Sequence, residues 1–177
     1  MNTKDIDKPA VVRTLNTILE MELAGVVRYT HYSFLVFGFG RIPIVSWLRG
    51  QADESILHAQ QIGEWITNLG EYPSLGIGAL LDSHQTDIGA MLRESLETES
   101  QALALYRELL DLVAGNSVAL EEFARGMIMA EEMHAAEVDK MLRRPGDLAV
   151  LIAVVDLVVG AGTWRPIGRS LIAWTAG

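Results

Sequence analysis

The sequence predicts an all-α fold of four long helices, and three observations support this. Apolar residues recur every three or four positions in four stretches, the spacing of helices that bury one face. No stretch alternates convincingly with period two, so we expect no sheet. Glycine and proline residues separate the stretches, and the second link is long. A chain of 177 residues, 50% of them hydrophobic, suits one domain with a sizeable core.

The first two stretches are predicted to form a helical pair. Asp7 and Pro9 mark a helix start, since Asp caps helices and Pro suits the first turn. The apolar stripe that follows runs through residues 11–36, and glycines then indicate a turn. The second stripe covers residues 44–69 and ends at Gly70, a residue type common at helix C-termini.

The last two stretches form the second pair, with stripes over residues 88–113 and 120–141. The connection that precedes them reaches about Gln85, which is longer than antiparallel neighbours need. Such a link suits a crossover along the length of a bundle. We therefore predict a helical domain over residues 1–145 and a separate apolar extension over 146–177.

Acidic and histidine side chains interrupt these stripes at mid-length. Residues three or four apart share a helix face, so Glu131 aligns with His134 and Glu54 with His58. Carboxylate with imidazole suits iron, manganese or zinc. One Glu from each of two helices, with a Glu–His pair from each of the others, would hold two ions. The predicted metal ligands and catalytic residues are Glu22, Glu54, His58, Glu99, Glu131 and His134.

The cost of burying charge supports this interpretation. A lone buried carboxylate costs several kcal/mol or becomes neutral. One Glu in an apolar stripe is usually a side chain that extends to solvent, or a sign that the stripe was read one residue out of register. Four carboxylates at one level, with neutral imidazoles, would be balanced by two divalent ions. Two alternatives remain: an oxidase that forms no cage and acts on an organic substrate with two irons or iron and manganese, and a non-catalytic interaction module.

The two halves of the chain resemble each other, but Glu54 is displaced by one residue from the stripe that holds His58. Glu22 to Glu54 and Glu99 to Glu131 are both 32 positions, and a Tyr follows the first Glu of each half by seven. A regular helix, however, places Ser55 rather than Glu54 on the face of His58. Either both side chains converge from i, i+4 positions, or a π-bulge absorbs one residue. We predict the bulge.

Segments 15–23, 92–99 and 131–134, together with Tyr29, resemble bacterioferritins over residues 10–142. The resemblance implies a ferritin-like four-helix bundle whose second and third helices are joined by a long crossover. It also implies two iron ions per subunit, oxidation of Fe(II) by oxygen or hydrogen peroxide, storage of Fe(III), and a homo-oligomer, expected to be a 24-subunit cage. By the matched motifs, the ligand positions fall on Glu22, His58, Glu99, Glu131 and His134.

Two positions depart from the bacterioferritin pattern. Ser55 stands, without gaps, where the family's bridging Glu belongs, which makes Glu54 the less secure ligand. Ile56 stands where the family has its haem-binding Met. Aliphatic carbon cannot ligate iron, so we expect no haem through this position.

Charge and composition restrict the possible binding partners and the expected cellular location of the protein. The net charge of -9 argues against a nucleic-acid partner, which needs clustered basic residues. With no cysteine and no apolar leader in the first ten residues, we expect a cytoplasmic protein. The apolar run 148–159 is shorter than the roughly 20 residues of a membrane span. We expect a short fifth helix at a subunit junction, with membrane or shell docking, or no settled structure, as the alternatives.

Overall fold

A computed structural model describes residues 6–80 and 84–148, and four α-helices make up most of this part of the chain. Their bounds are α1 Lys8–Leu35, α2 Arg41–Asn68, α3 Ile88–Val113 and α4 Val118–Leu142. α1 packs along α2, α3 along α4, and α1 against α3. No strand occurs within the described ranges. The predicted all-α four-helix bundle is confirmed.

The helix ends follow the local sequence signals. The carboxylate of Asp7 accepts a hydrogen bond from the Ala10 amide at 3.1 Å, so Asp7 caps α1 as predicted. Asp87 does the same for α3. Gly70 ends α2 with φ of 78°, a left-handed conformation that glycine adopts without strain. Ser117 precedes α4 without a side-chain cap.

The crossover between α2 and α3 lies against α1 in its described part. The amide of Gly78 donates to the carbonyl of Glu20 at 2.8 Å, and the amide of Ser74 donates to Asn16 Oδ1 at 2.7 Å. A Cβ atom at Gly78 would lie 2.9 Å from the Glu20 carbonyl oxygen. Only glycine allows this approach of two backbones, and the approach fixes the path of the crossover along the bundle.

A polar layer divides the apolar core at mid-length. One cluster fills the end of the bundle that contains Leu15, Ile62 and Leu109. Two further clusters fill the other end, around Tyr29 and around Val138. The level between them holds buried carboxyl groups, including those of Glu22 and Glu131. The buried acidic residues of the bundle therefore lie between two apolar core regions.

The predicted C-terminal extension falls almost entirely on residues 149–177, which lie outside the described ranges. The fifth helix and the docking alternative therefore stay predictions. Among the described helices, none is long and apolar enough to cross a membrane.

Candidate metal centre

Each helix of the bundle contributes to one cluster of metal-binding side chains at mid-length. Glu22 projects from α1, His58 from α2, Glu99 from α3, and Glu131 and His134 from α4. The bulk of each side chain is withdrawn from solvent, and the most exposed, His58, retains 13% of its accessible area. These five are all residues that the sequence predicted as ligands.

The cluster consists of two groups of potential donor atoms, each within 4.8 Å of one another. In the first group, His58 Nδ1 lies 3.3 Å from Glu22 Oε1 and 3.3 Å from Glu131 Oε1. Two carboxylate oxygens thus converge on one imidazole nitrogen. This is an arrangement that a divalent transition metal could occupy.

The second group contains Glu99, Glu131 and His134. His134 Nδ1 lies 4.0 Å from Glu99 Oε2. Glu131 belongs to both groups, and so its carboxylate stands between them. A cluster of this kind offers two adjacent cation positions that share one ligand residue.

Crowded carboxylates change the proton affinity of the cluster. Burial, reinforced by the charges of Glu99 and Glu22, raises the pKa of Glu131 to about 8 despite its hydrogen bond with His58. Burial alone would lower the pKa of His58, but hydrogen bonds to Glu131 and Glu22 raise it to about 10. Without a metal the cluster therefore retains protons that offset its negative charge. A divalent cation would displace them.

The donor set fits iron. Carboxylate oxygen and imidazole nitrogen are ligands of iron, manganese and zinc, whereas a thiolate site for soft metals is excluded because the chain has no cysteine. The residues also enclose a cavity of about 10 Å³, lined by Glu22, Gln51, Glu54, Ser55, His58, Glu99, Glu131 and His134. That is room for about one water-sized group.

Two buried tyrosines hold the carboxylates from the opposite half of the chain. Tyr106 on α3 donates to Glu22 Oε1 at 3.0 Å, and Tyr29 on α1 donates to Glu99. Burial, together with the nearby carboxylates, raises the pKa of both phenols, so they remain protonated donors. The structure thus gives Tyr29 a hydrogen bond to a predicted ligand.

Glu54 occupies a different position from the other predicted ligands. It lines the cavity, but its side chain is exposed and belongs to neither donor group. The predicted π-bulge is wrong: α2 is an uninterrupted α-helix over Arg41–Asn68. Without an extra residue, regular helical rotation turns Ser55 inward, and Ser55 is buried at 8% exposure.

Trp47 is a neighbour of the centre that the sequence did not indicate. Its ring lies edge-on to Tyr29, with centroids 6.2 Å apart, and 5.9 Å from the ring of His134. His134 Nε2 is buried and has no hydrogen-bond partner in the described part of the chain. Aromatic packing therefore holds this imidazole. The spacing of four residues between Trp47 and Gln51, a residue of α2 that lines the cavity, could have indicated this position.

Comparisons with known proteins agree with the four-helix fold and show the family. A family model described as the ferritin-like domain matches residues 12–145. No curated protein matches the chain. A ferritin-like, diiron-carboxylate protein from Bacillus anthracis superposes with a TM-score of 0.72 and 24% identity, covering 77% of this chain and 98% of that one.

Two further solved structures share the fold. A dodecameric thioferritin, described as the bacterioferritin-related protein of Bacteroides fragilis, has a TM-score of 0.72 and 23% identity over 77% of this chain and 86% of that chain. Rhodobacter capsulatus bacterioferritin, with a metal-free dinuclear site and haem iron, has a TM-score of 0.66 and 23% identity over 75% and 82%. At these identities the likeness establishes the fold.

Proposed function

The chain belongs to the ferritin-like family, and from this premise we propose that it is a ferroxidase that oxidises Fe(II) and stores the resulting Fe(III). The observation that carries the proposal is the position of Glu131, which belongs to both donor groups. Glu22 and His58 complete one cation position, and Glu99 and His134 complete the other. Two irons side by side can each give one electron to the same oxidant.

The transfer of two electrons to one oxidant explains why two cation positions are needed. Two Fe(II) ions and one oxygen molecule, with two protons, give two Fe(III) ions and hydrogen peroxide, and no superoxide is released. With hydrogen peroxide as the oxidant, the same two electrons and two protons yield two water molecules. Anionic carboxylate oxygens favour Fe(III) over Fe(II), so the ligand set assists oxidation.

The size of the central cavity favours this function over oxidation of an organic substrate. The space among the ligands is about 10 Å³, enough for one water-sized molecule. The residues that line it are all polar or charged, whereas an organic substrate would need a larger apolar pocket beside the metals. We therefore place the organic-substrate oxidase second.

Storage of iron requires an oligomeric assembly, and the exposed apolar surface between α1 and α2 favours one. Large apolar side chains are exposed where α1 turns into α2, among them Phe34, Phe37, Phe39 and Ile42. Exposed apolar patches of this kind mark contacts between proteins. We propose that copies of this chain cover the patch in a closed homo-oligomer, with the 24-subunit cage as the expected form. The related thioferritin of Bacteroides fragilis is dodecameric, and native mass spectrometry would separate the two sizes.

Iron loading tests the function directly. Anaerobic Fe(II) is added to the metal-free protein, oxygen is then admitted, and Fe(III) formation and iron retained per particle are measured. We expect rapid oxidation and retention of many irons per chain in the wild type. Glu22→Ala and His134→Ala should each abolish the rapid phase, whereas Glu122→Ala, an exposed residue of α4, should leave it intact. Unchanged rates in both site variants would refute the proposal.

A further inference from the structure

Two histidines outside the candidate metal centre lie in contact at the surface of the bundle. The chain has four histidines, and His58 and His134 belong to the centre. His31 lies on α1, and His84 lies in the crossover shortly before α3. His31 Nε2 and His84 Nδ1 are 3.1 Å apart. The fold therefore brings together two imidazoles that the proposed ferroxidase function does not use.

The two ring nitrogens are spaced much as two ligands of one metal ion would be. Zinc binds imidazole nitrogen at about 2.0–2.1 Å in tetrahedral geometry, which separates two such ligand atoms by about 3.3 Å. The separation of 3.1 Å between His31 and His84 is close to that value. The ring centroids are 5.2 Å apart, so the rings meet at their nitrogen-bearing edges and are not stacked. A small outward shift of His84 would admit the ion.

Neighbouring residues position both imidazoles. The ring of His31 packs against that of Tyr32, with centroids 6.2 Å apart, and Tyr32 donates a hydrogen bond to Glu94 on α3. Gln85, the residue after His84, donates to the same carboxylate at 2.8 Å. Glu94 thus anchors the residue that follows each histidine. This anchoring reduces the entropy that the pair would lose on binding one ion.

The surroundings of the pair allow a cation to bind from solution. His84 is exposed and His31 is half-buried, so an ion could keep water in its remaining coordination positions. The net charge of -9 attracts cations to the protein. Imidazole nitrogen suits zinc, copper and nickel, whereas magnesium and calcium prefer oxygen ligands. The pair therefore has the chemistry of a transition-metal site.

We propose that His31 and His84 together bind one divalent transition-metal ion at the surface, and that this ion ties the end of the crossover to α1. The start of the crossover is already bonded to α1 at Asn16 and Glu20. The surface site shares no residue with the two central donor groups, so it does not depend on the ferroxidase function. Its ion should bind more weakly than the central ions, because only two protein residues hold it.

Equilibrium dialysis against increasing Zn(II), with Mg(II) in excess, measures this site. The wild type should bind one more Zn(II) per chain than His31→Gln or His84→Gln. Each single variant should lose as much as the double variant, because both imidazoles hold the same ion and their effects are not additive. Thr86→Ala changes an exposed residue of the same segment, and this matched control should bind as many ions as the wild type.

Hydrogen exchange shows whether the ion joins the two elements. Zn(II) should slow amide exchange at residues 84–87 in the wild type. His31→Gln should abolish this effect, although the substitution lies on α1.

Two results would overturn the surface site. One is equal Zn(II) stoichiometry and affinity in the wild type and both single variants. The other is a loss in the double variant that equals the sum of two partial losses, since this would show two independent imidazoles. If the histidine-dependent ion bound but the central ions did not, the ferroxidase proposal would fail and the surface site would stand.

Discussion

Tyr106 on α3 donates a 3.0 Å hydrogen bond to Glu22 on α1, and this bond joins the two halves of the chain at the candidate metal centre. Tyr29 on α1 makes the reciprocal bond to Glu99 on α3. Each half thus orients the first carboxylate of the other. Outer hydrogen bonds of this kind fix the orientation of ligands and tune their affinity for metal.

Removal of either phenolic hydroxyl should weaken metal binding while preserving the fold. Tyr106→Phe and Tyr29→Phe retain the buried ring but release Glu22 or Glu99, and we expect about a tenfold loss of Zn(II) affinity at one position in each variant. Tyr32→Phe is the matched control, since Tyr32 donates to Glu94 outside the centre. If all three variants bound Zn(II) with the affinity of the wild type, the two tyrosines would not orient the ligands.

The metal-free protein should lose stability as the pH rises. The pKa of Glu131 is raised to about 8 and that of His58 to about 10, so the folded state holds protons more tightly than the unfolded chain. Stability contributed this way is complete at low pH and declines from about pH 5 to pH 10. Thermal unfolding should show a falling melting temperature over this range, less steep after Zn(II) loading.

Glu131→Gln provides the control for this pH dependence. The amide does not titrate, so the decline between about pH 5 and pH 8 should be smaller than in the metal-free wild type. Identical slopes in the two proteins would show that Glu131 does not hold the proton.

The crossover depends on Gly78, where a side chain would meet the backbone of α1. Gly78→Ala brings a Cβ within 2.9 Å of the Glu20 carbonyl oxygen and strains the hydrogen bond between these residues. We expect a loss of about 1–3 kcal/mol in the free energy of unfolding, measured by denaturant titration. Gly126→Ala, in α4 with open space around it, should instead stabilise by up to about 1 kcal/mol. If Gly78→Ala had the same free energy of unfolding as the wild type, the crossover would not approach the backbone of α1 at this residue.

A buried ion pair stabilises the end of α4. Asp139 is fully buried, and Arg143 Nε donates to its carboxylate at 2.6 Å. Arg143→Met removes the guanidinium hydrogen bonds to this carboxylate and should cost about 1.5–3 kcal/mol, or about 5 °C in melting temperature. The double variant Asp139→Asn with Arg143→Met should recover part of this loss. Lys140→Met, from an exposed pair with Glu137, should change little.

Sequence periodicity was sufficient for the fold and for most of the candidate centre. Four apolar stripes predict four helices because each helix must bury one face, and the cap at Asp7 depends only on local chemistry. The five clustered ligands follow from carboxylate and imidazole groups at the same level of their stripes. Helix geometry alone brings these side chains to one level.

Relationships between helices were beyond the reach of periodicity. The bonds of Tyr29 and Tyr106 join residues that are far apart in the chain, and their partners depend on how the helices pack. Glu54 was selected because it lies four residues before His58 and because its spacing from Glu22 matches that of Glu131 from Glu99. The connection between α1 and α2 is one residue longer than that between α3 and α4, so equal spacing does not give equivalent positions. α2 contains no bulge that would compensate for the extra residue.

The most direct test of a paired centre is the number of Zn(II) ions bound at equilibrium per chain, measured for the wild type, Glu131→Gln and Glu99→Gln. Since Glu131 belongs to both donor groups and Glu99 to one, the wild type should bind two ions tightly. Glu99→Gln should retain one tight site, and Glu131→Gln should weaken both. Two ions bound with wild-type affinity by Glu131→Gln would contradict a shared carboxylate between two metals.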